Sequence, residues 1–340
     1  MKRTFILSVL TTISLVVLLH IYGNDCQKIF YAVNNLSTKE CLKYIEVSDS
    51  LECRNDDGFT PLLEAIYVRY LWREGNEEED IIVSLLTRGA NVNANITSDS
   101  EWWDRGDTPL HIVSQRGELN IAKKLIEYGA DINARNIYGE TPIMKACQMN
   151  EIETAEYLIS KGANINLKDN EGANILLHCA NSSSEKYELI KLLLDRGIDV
   201  NSEDIDGVTA LIQAAGDGHY KTAKMLLERG AEINHQTRYT GVTALMMASF
   251  NTLGDKKEIV KLLLESGANI ELKNKDGETA YYFALESGNY EIADMLASAG
   301  ANTVPQNRLC KKILKAAKKK GYNPINYHNG FHGRGKGVTH

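Results

Sequence analysis

The chain has 340 residues, enough for one large or two ordinary domains, and its 43% hydrophobic and 24% charged residues exclude a disordered chain. Six cysteines are too few for a disulfide scaffold. The net charge of −7 hides a split: residues 24–301 hold 27 basic against all 45 acidic residues, a formal −18, while 302–340 carry nine basic residues and no acid, and so acidic a body repels the phosphates of nucleic acid.

Lys2 and Arg3 precede an apolar run, Phe5–Tyr22, that ends at Gly23. A charged start, an apolar stretch and a small residue before polar sequence read as an export signal over residues 1–23. Ile21 makes the cleavage site a poor one, and the run nearly reaches the roughly 20 residues that span a bilayer. Cleaved signal and retained anchor both stay open, and both put the remainder outside the cytoplasm because the basic residues stay inside.

From residue 57 the sequence repeats. "GDTPLHIVSQRGELNIAKKLIEYGADINARN" (106–136) is followed, after two residues, by "GETPIMKACQMNEIETAEYLISKGANINLKD". Start residues Thr60, Thr108, Thr141, Asn174, Thr209, Thr243 and Thr279 recur at gaps of 48, 33, 33, 35, 34 and 36 residues. Gly89, Gly129, Gly162, Gly197, Gly230, Gly267 and Gly300 close the units. Each unit predicts a helix capped by the threonine oxygen and, in some units, opened by proline. A second amphipathic helix follows and ends at the glycine in a left-handed turn. Five positions after each start the residue is mostly small (Ala65, Val113, Ala146, Cys179, Ala214, Ala248, Ala284), as side-by-side stacking requires.

This pattern resembles the ankyrin repeat family over about residues 26–320. The resemblance implies an all-α repeat solenoid of helix-turn-helix units with β-hairpin fingers. Residues 24–56 fit the frame as an N-terminal capping repeat, with Ala32 at the small position and no Thr-Pro start. Seven units fill 57–304. Residues 305–321 form a lysine-faced capping helix, and 322–340 read as a flexible basic tail. His111 falls where ankyrin repeats carry a histidine that ties neighbouring turns together.

The unit starting at Thr60 holds 15 residues more than its successor, in two insertions at about 69–80 and 96–104. All three tryptophans, Trp72, Trp102 and Trp103, lie in them among acidic residues. Two readings stay open: a satellite core, or aromatic anchors for a partner. A second surface is implied by the resemblance, since ankyrin proteins bind mostly through their fingers and the exposed, concave side of the first helices. Here that side would carry Tyr31, Tyr67, Ile112, Gln115, Lys145, His178, Gln213, Met247, Phe250 and Phe283, of which Tyr31, Tyr67, Ile112, Met247, Phe250 and Phe283 are the candidate contacts.

No nucleophile elbow, zinc-binding helix motif or phosphate-binding loop is present, and no cysteine pair has metal-ligand spacing. No catalytic residue, cofactor or metal is expected. Cys26, Cys41 and Cys53 fall in the N-terminal cap; in an oxidising compartment a Cys26–Cys53 bridge would pin it, although pairing is not readable from sequence. The sequence therefore points to an exported, non-catalytic and monomeric module that binds another protein. That partner would be a secreted toxin or enzyme that it neutralises, or a host protein reached by a released effector. A membrane-tethered scaffold, held by Phe5–Tyr22 and braced on lipid by the basic C-terminal segment, is the alternative.

Overall fold

A computed structural model describes residues 25–322 except 36, 50, 73–76, 99–103, 181–185 and 251–255. The described residues form seventeen α-helices and two compact units, divided between Asn170 and Glu171. The export segment Phe5–Tyr22 and the tail lie outside the described residues. No helix among the described residues is long and apolar enough to cross a membrane.

The first unit contains α1 (Asp25–Asn35), α2 (Thr38–Val47), α3 (Pro61–Trp72), α4 (Glu77–Thr87), α5 (Pro109–Gln115), α6 (Leu119–Glu127), α7 (Pro142–Met149) and α8 (Ile152–Ser160). First helices pack on first helices: α1 on α3, α3 on α5, α5 on α7. The small residues Ala65, Val113 and Ala146 sit at these contacts, each buried. The inserted residues 69–80 do not form a loop throughout. They lengthen α3 to 12 residues where α5 has seven, because "YVRYLW" continues the helix-compatible pattern of "PLLEAI".

The second unit contains α9 (Ile175–Ala180), α10 (Tyr187–Asp195), α11 (Ala210–Asp217), α12 (Tyr220–Glu228), α13 (Ala244–Phe250), α14 (Lys256–Glu265), α15 (Ala280–Ser287), α16 (Tyr290–Ser298) and α17 (Arg308–Lys319). Its first helices stack as α9–α11–α13–α15, and α17 closes on α15. Carbonyls left over at the end of a first helix find donors from the next repeat. Lys256 Nζ donates to the Gly216 carbonyl, and Asn289 Nδ2 donates to the Ser249 carbonyl at 3.0 Å.

Four of the start residues cap as expected. Thr60, Thr209 and Thr243 accept from the backbone N–H three residues on at 3.3–3.4 Å, and Asn174 Oδ1 accepts from Leu176 and Leu177. The closing glycines all have φ between +80° and +101°, a region that disfavours a Cβ. The fingers are tighter than hairpins. Among the described residues no strand forms, and Glu203 with Thr209 makes one isolated antiparallel bridge.

An asparagine relay joins successive fingers. In the first unit Asn93 Oδ1 accepts from Asp131 N at 2.8 Å and Asn133 Oδ1 from Asn164 N at 2.9 Å. In the second, Asn201 Oδ1 accepts from Glu232 N and Asn234 Oδ1 from Asn269 N, both at 2.8 Å. In six of the seven units the residue two after the closing glycine accepts in turn from the N–H two further on, as Asp131 does from Asn133 at 2.9 Å.

Candidate functional site

The first-helix position four residues after each start residue behaves differently in the two units, being buried in the first and half-buried in the second. In the first unit Ile112 is fully buried. Its expected place on a partner surface is therefore wrong: the side chain packs within the stack, where its neighbours need an apolar filler. Lys145, assigned to the same face, is also buried. Tyr31 and Tyr67 are half-buried, and Tyr67 meets Phe59 edge to face with ring centroids 5.5 Å apart.

In the second unit the same position stays accessible. Met247 and Phe283 are half-buried, and Phe250 is 44% exposed. Phe250, the last residue of α13, lies edge to face against Phe283 of α15 with centroids 5.9 Å apart and ring planes at 72°. Gly216 on α11 leaves room for Met247, since a Cβ there would stand 3.1 Å from the Met247 methyl. Three of the named residues thus come together on neighbouring first helices as one apolar edge. His178 and Gln213 are half-buried in the same unit, and Gln213 Nε2 is occupied by Asp217 Oδ2 at 2.8 Å.

The tryptophans are not brought to that edge by any described contact. Trp72 ends α3, and its side chain lies outside the described residues, as do Trp102 and Trp103. The base of their insertion is well tied. Ile96 N–H donates to the Asp107 carbonyl at 2.9 Å, and Gly106 N–H donates back to the Ile96 carbonyl at 2.8 Å. Arg54 Nη1 holds the carbonyls of Gly58 and Asn95, each at 2.6 Å. Gly106 has φ +89° and would set a Cβ 2.9 Å from Ile137 N, so the segment must re-enter the stack through glycine.

Behind this base lies a charged network that the sequence did not reveal. Lys145 Nζ pairs with Glu140 at 2.7 Å and with Asp104. Asn136 Nδ2 reaches Asp107 at 3.0 Å and Glu140 at 3.1 Å, and Gln148 donates to Glu140. Burial pushes the Asp107 carboxyl up to about 6 against the pull of Lys145 and Asn136. Burial also acts to raise Glu140, but the hydrogen bond and charge of Lys145 overcome it and hold that carboxyl below its usual range. Burial works against the Lys145 ammonium too, yet Asp107, Asp104 and Glu140 together raise it.

His111 belongs to the same cluster. Its Nδ1 accepts from Thr108 N–H at 3.1 Å, and its Nε2–H donates to the Glu140 carbonyl of the next repeat at 3.1 Å. Burial drives its pKa down to about 4, so the ring is neutral and serves as a tie between turns, as the sequence suggested. Asp107, Glu140 and Lys145 are buried, Asp104 is half-buried, and hydrogen bonds through Lys145 and Asn136 link them, an arrangement that fixes the re-entry of the insertion.

The two ends are distinct. Cys26 and Cys53 form a disulfide across the N-terminal cap, Cα–Cα 5.8 Å, while Cys41 is buried and stands outside that bond. At the other end Tyr322, assigned above to the tail, is buried. It stacks on Tyr290 at 4.9 Å and bonds Asp294 at 3.0 Å, so the cap extends one residue further than its sequence boundary.

The model of ankyrin repeats matches residues 72–169, 162–237 and 233–307. The chain is 35% identical over 194 residues to the putative ankyrin repeat protein YahD of Escherichia coli, covering 56% of this chain and 94% of that protein. It is 31% identical over 244 residues to the ankyrin repeat and KH domain-containing protein mask-1 of Caenorhabditis elegans, covering 72% of this chain but 7% of that protein. Against the human SH3 and multiple ankyrin repeat domains protein 2 it is 30% identical over 216 residues, 63% of this chain and 11% of that protein. The chain thus spans only a small part of the larger relatives. Ankyrin repeats generally mediate protein–protein interaction. Because these matches run through the same frame that the paired helices and closing glycines follow, the chain belongs to the ankyrin repeat family.

Proposed function

We propose that this chain is a non-catalytic module that binds another protein outside the cytoplasm, through the apolar edge of its second unit. The observation that carries the reading is the Phe250–Phe283 pair beside Met247: Met247 and Phe283 are half-buried at the position where the first unit buries Glu64, Ile112 and Lys145, and Phe250 is exposed where that unit half-buries Tyr67 and Gln115. Aromatic anchors of this kind dominate binding energy at interfaces. The Trp-bearing insertions are the second candidate arm. Export is supported by Lys2, Arg3 and the apolar run Phe5–Tyr22. It is supported independently by the Cys26–Cys53 disulfide, since such bonds persist in oxidising compartments.

Affinity capture from the exported fraction tests the site. The parent chain is expected to retain one protein, and Phe250→Ala with Phe283→Ala to weaken that capture at least tenfold without changing the melting temperature. Unchanged capture by this variant, with loss in a chain lacking 96–104, would move the site to the insertion. Unchanged capture by both would defeat the reading. The length of the run Phe5–Tyr22, which holds no Lys, Arg, Asp or Glu, favours one alternative, a scaffold tethered by an uncleaved N-terminal segment, which N-terminal sequencing of the exported chain distinguishes.

A further inference from the structure

The closing helix α17 is built against the usual preferences of a solvated helix. Its sequence, "RLCKKILKAAKK", contains no acid, and Lys320 follows directly. Arg308, Lys311, Lys312, Lys315, Lys318, Lys319 and Lys320 are all exposed, and no described residue forms an ion pair with any of them. At 100° per residue, Arg308, Lys311, Lys312, Lys315, Lys318 and Lys319 fall within an arc of about 120° along roughly 16 Å of helix. Cys310, Ile313 and Ala317 point the opposite way and are buried.

Two costs come with this face. Arg308 and Lys311 occupy the first turn, where the helix dipole favours acids over cations. Arg308 with Lys312, Lys311 with Lys315, and Lys315 with Lys319 are like charges at i,i+4, which destabilise a helix. Elsewhere the chain interleaves opposite charges, as in Lys124–Glu127 and Lys191–Asp195. A face needed only for solubility would do the same.

We propose that the basic face of α17 docks the protein on an anionic lipid surface. Six of the seven cations are lysines, hydrated point charges suited to a diffuse array of negative charge rather than to bidentate recognition of one carboxylate. The face is convex, with no described aromatic ring beside the lysines to stack a base or grip a peptide. The docking surface is separate from the Phe250–Phe283 edge and stands whether or not that edge binds a protein.

Flotation of the full chain with vesicles tests this, using phosphatidylcholine alone or with 30 mol% phosphatidylglycerol. The neutral vesicles give the baseline for any binding through Phe5–Tyr22. Anionic vesicles are expected to bind more protein than neutral ones, and the excess to vanish at high salt. Each lysine near an anionic surface is worth about fivefold, so Lys311→Gln, Lys312→Gln and Lys315→Gln together should weaken the excess about 100-fold. Lys224→Gln, Lys261→Gln and Lys273→Gln, removing as many exposed lysines elsewhere, should leave it unchanged. Melting curves check that both variants fold. Equal binding to both vesicle types, or an α17 variant that binds like the parent, would overturn the proposal. Capture of soluble polyglutamate without an anionic excess would overturn it in favour of an acidic protein partner.

Discussion

His111 and Asp107 are neighbours in one network, yet burial moves their titrations in opposite directions for stability. The folded value of His111, about 4 against an ordinary 6.5, means that the unfolded chain takes up the proton first. Its contribution is whole above pH 6.5 and is lost as the pH falls toward 4. Asp107 is raised to about 6 from 3.8, so the folded chain takes up that proton first, and stability is gained as the pH falls from 6 toward 3.8. The two slopes offset each other between pH 4 and 6. Asp107→Asn should therefore expose the histidine, its urea midpoint falling more steeply than the parent's between pH 6.5 and 4.5. Equal slopes would show that Asp107 does not titrate there. His111 was legible because its Thr-Pro-Leu-His setting names its role. Lys145 was not, because position alone puts it on the open side of a helix, and only the re-entry of the insertion with Asp104 and Asp107 covers it.

Among the elements, the N-terminal cap has the least to hold it. Helices α1 and α2 lack the start threonine and closing glycine of the true repeats, and the Cys26–Cys53 bond spans 27 residues of this region. Closing a loop of that length removes about 3 kcal/mol of unfolded-state freedom. Cys26→Ser with Cys53→Ser should raise amide exchange across 25–47 and leave 280–298 as in the parent. If both stretches respond equally, the bond stabilises more than the cap. The sequence brought three cysteines into this region and singled out a Cys26–Cys53 bridge as the one that would pin the cap; the structure has that bridge, with Cys41 buried on α2. The lengthening of α3 was hidden. An insertion is visible as a count of residues, whereas its continuation of a helix depends on the pattern running through "YVRYLW".

For the whole molecule, the period made the architecture readable: a start residue (threonine in six units, asparagine in one), a mostly small residue five positions on and a closing glycine recur seven times, and each has one physical task. What the period does not encode is the difference between units, which is where the accessible edge at Met247, Phe250 and Phe283 and the burial of Ile112 arise. It also shows why ends are needed. Cys310, Ile313, Ala317 and Tyr322 cover the last repeat, and Tyr282 bonds the Thr303 carbonyl. A chain ending at 304 would uncover Tyr281 and Tyr282 and lose roughly 5 kcal/mol from buried side chains worth about 1.5–3 kcal/mol each. Light scattering should show that shortened chain associating while the full chain stays monodisperse. A monodisperse shortened chain would show that α17 is dispensable as a cover.

The asparagine relay between fingers has a consequence for descent. Within each compact unit every link offers one acceptor to the repeat ahead and one donor to the repeat behind, so its two ends are complementary. A copying slip that duplicates or deletes whole periods of a gene leaves no unmatched group at the seam, whereas a slip by part of a period breaks the relay. Such a molecule can gain or shed repeats in single steps while remaining foldable, and its lineages are free to differ in repeat number before they differ in anything else.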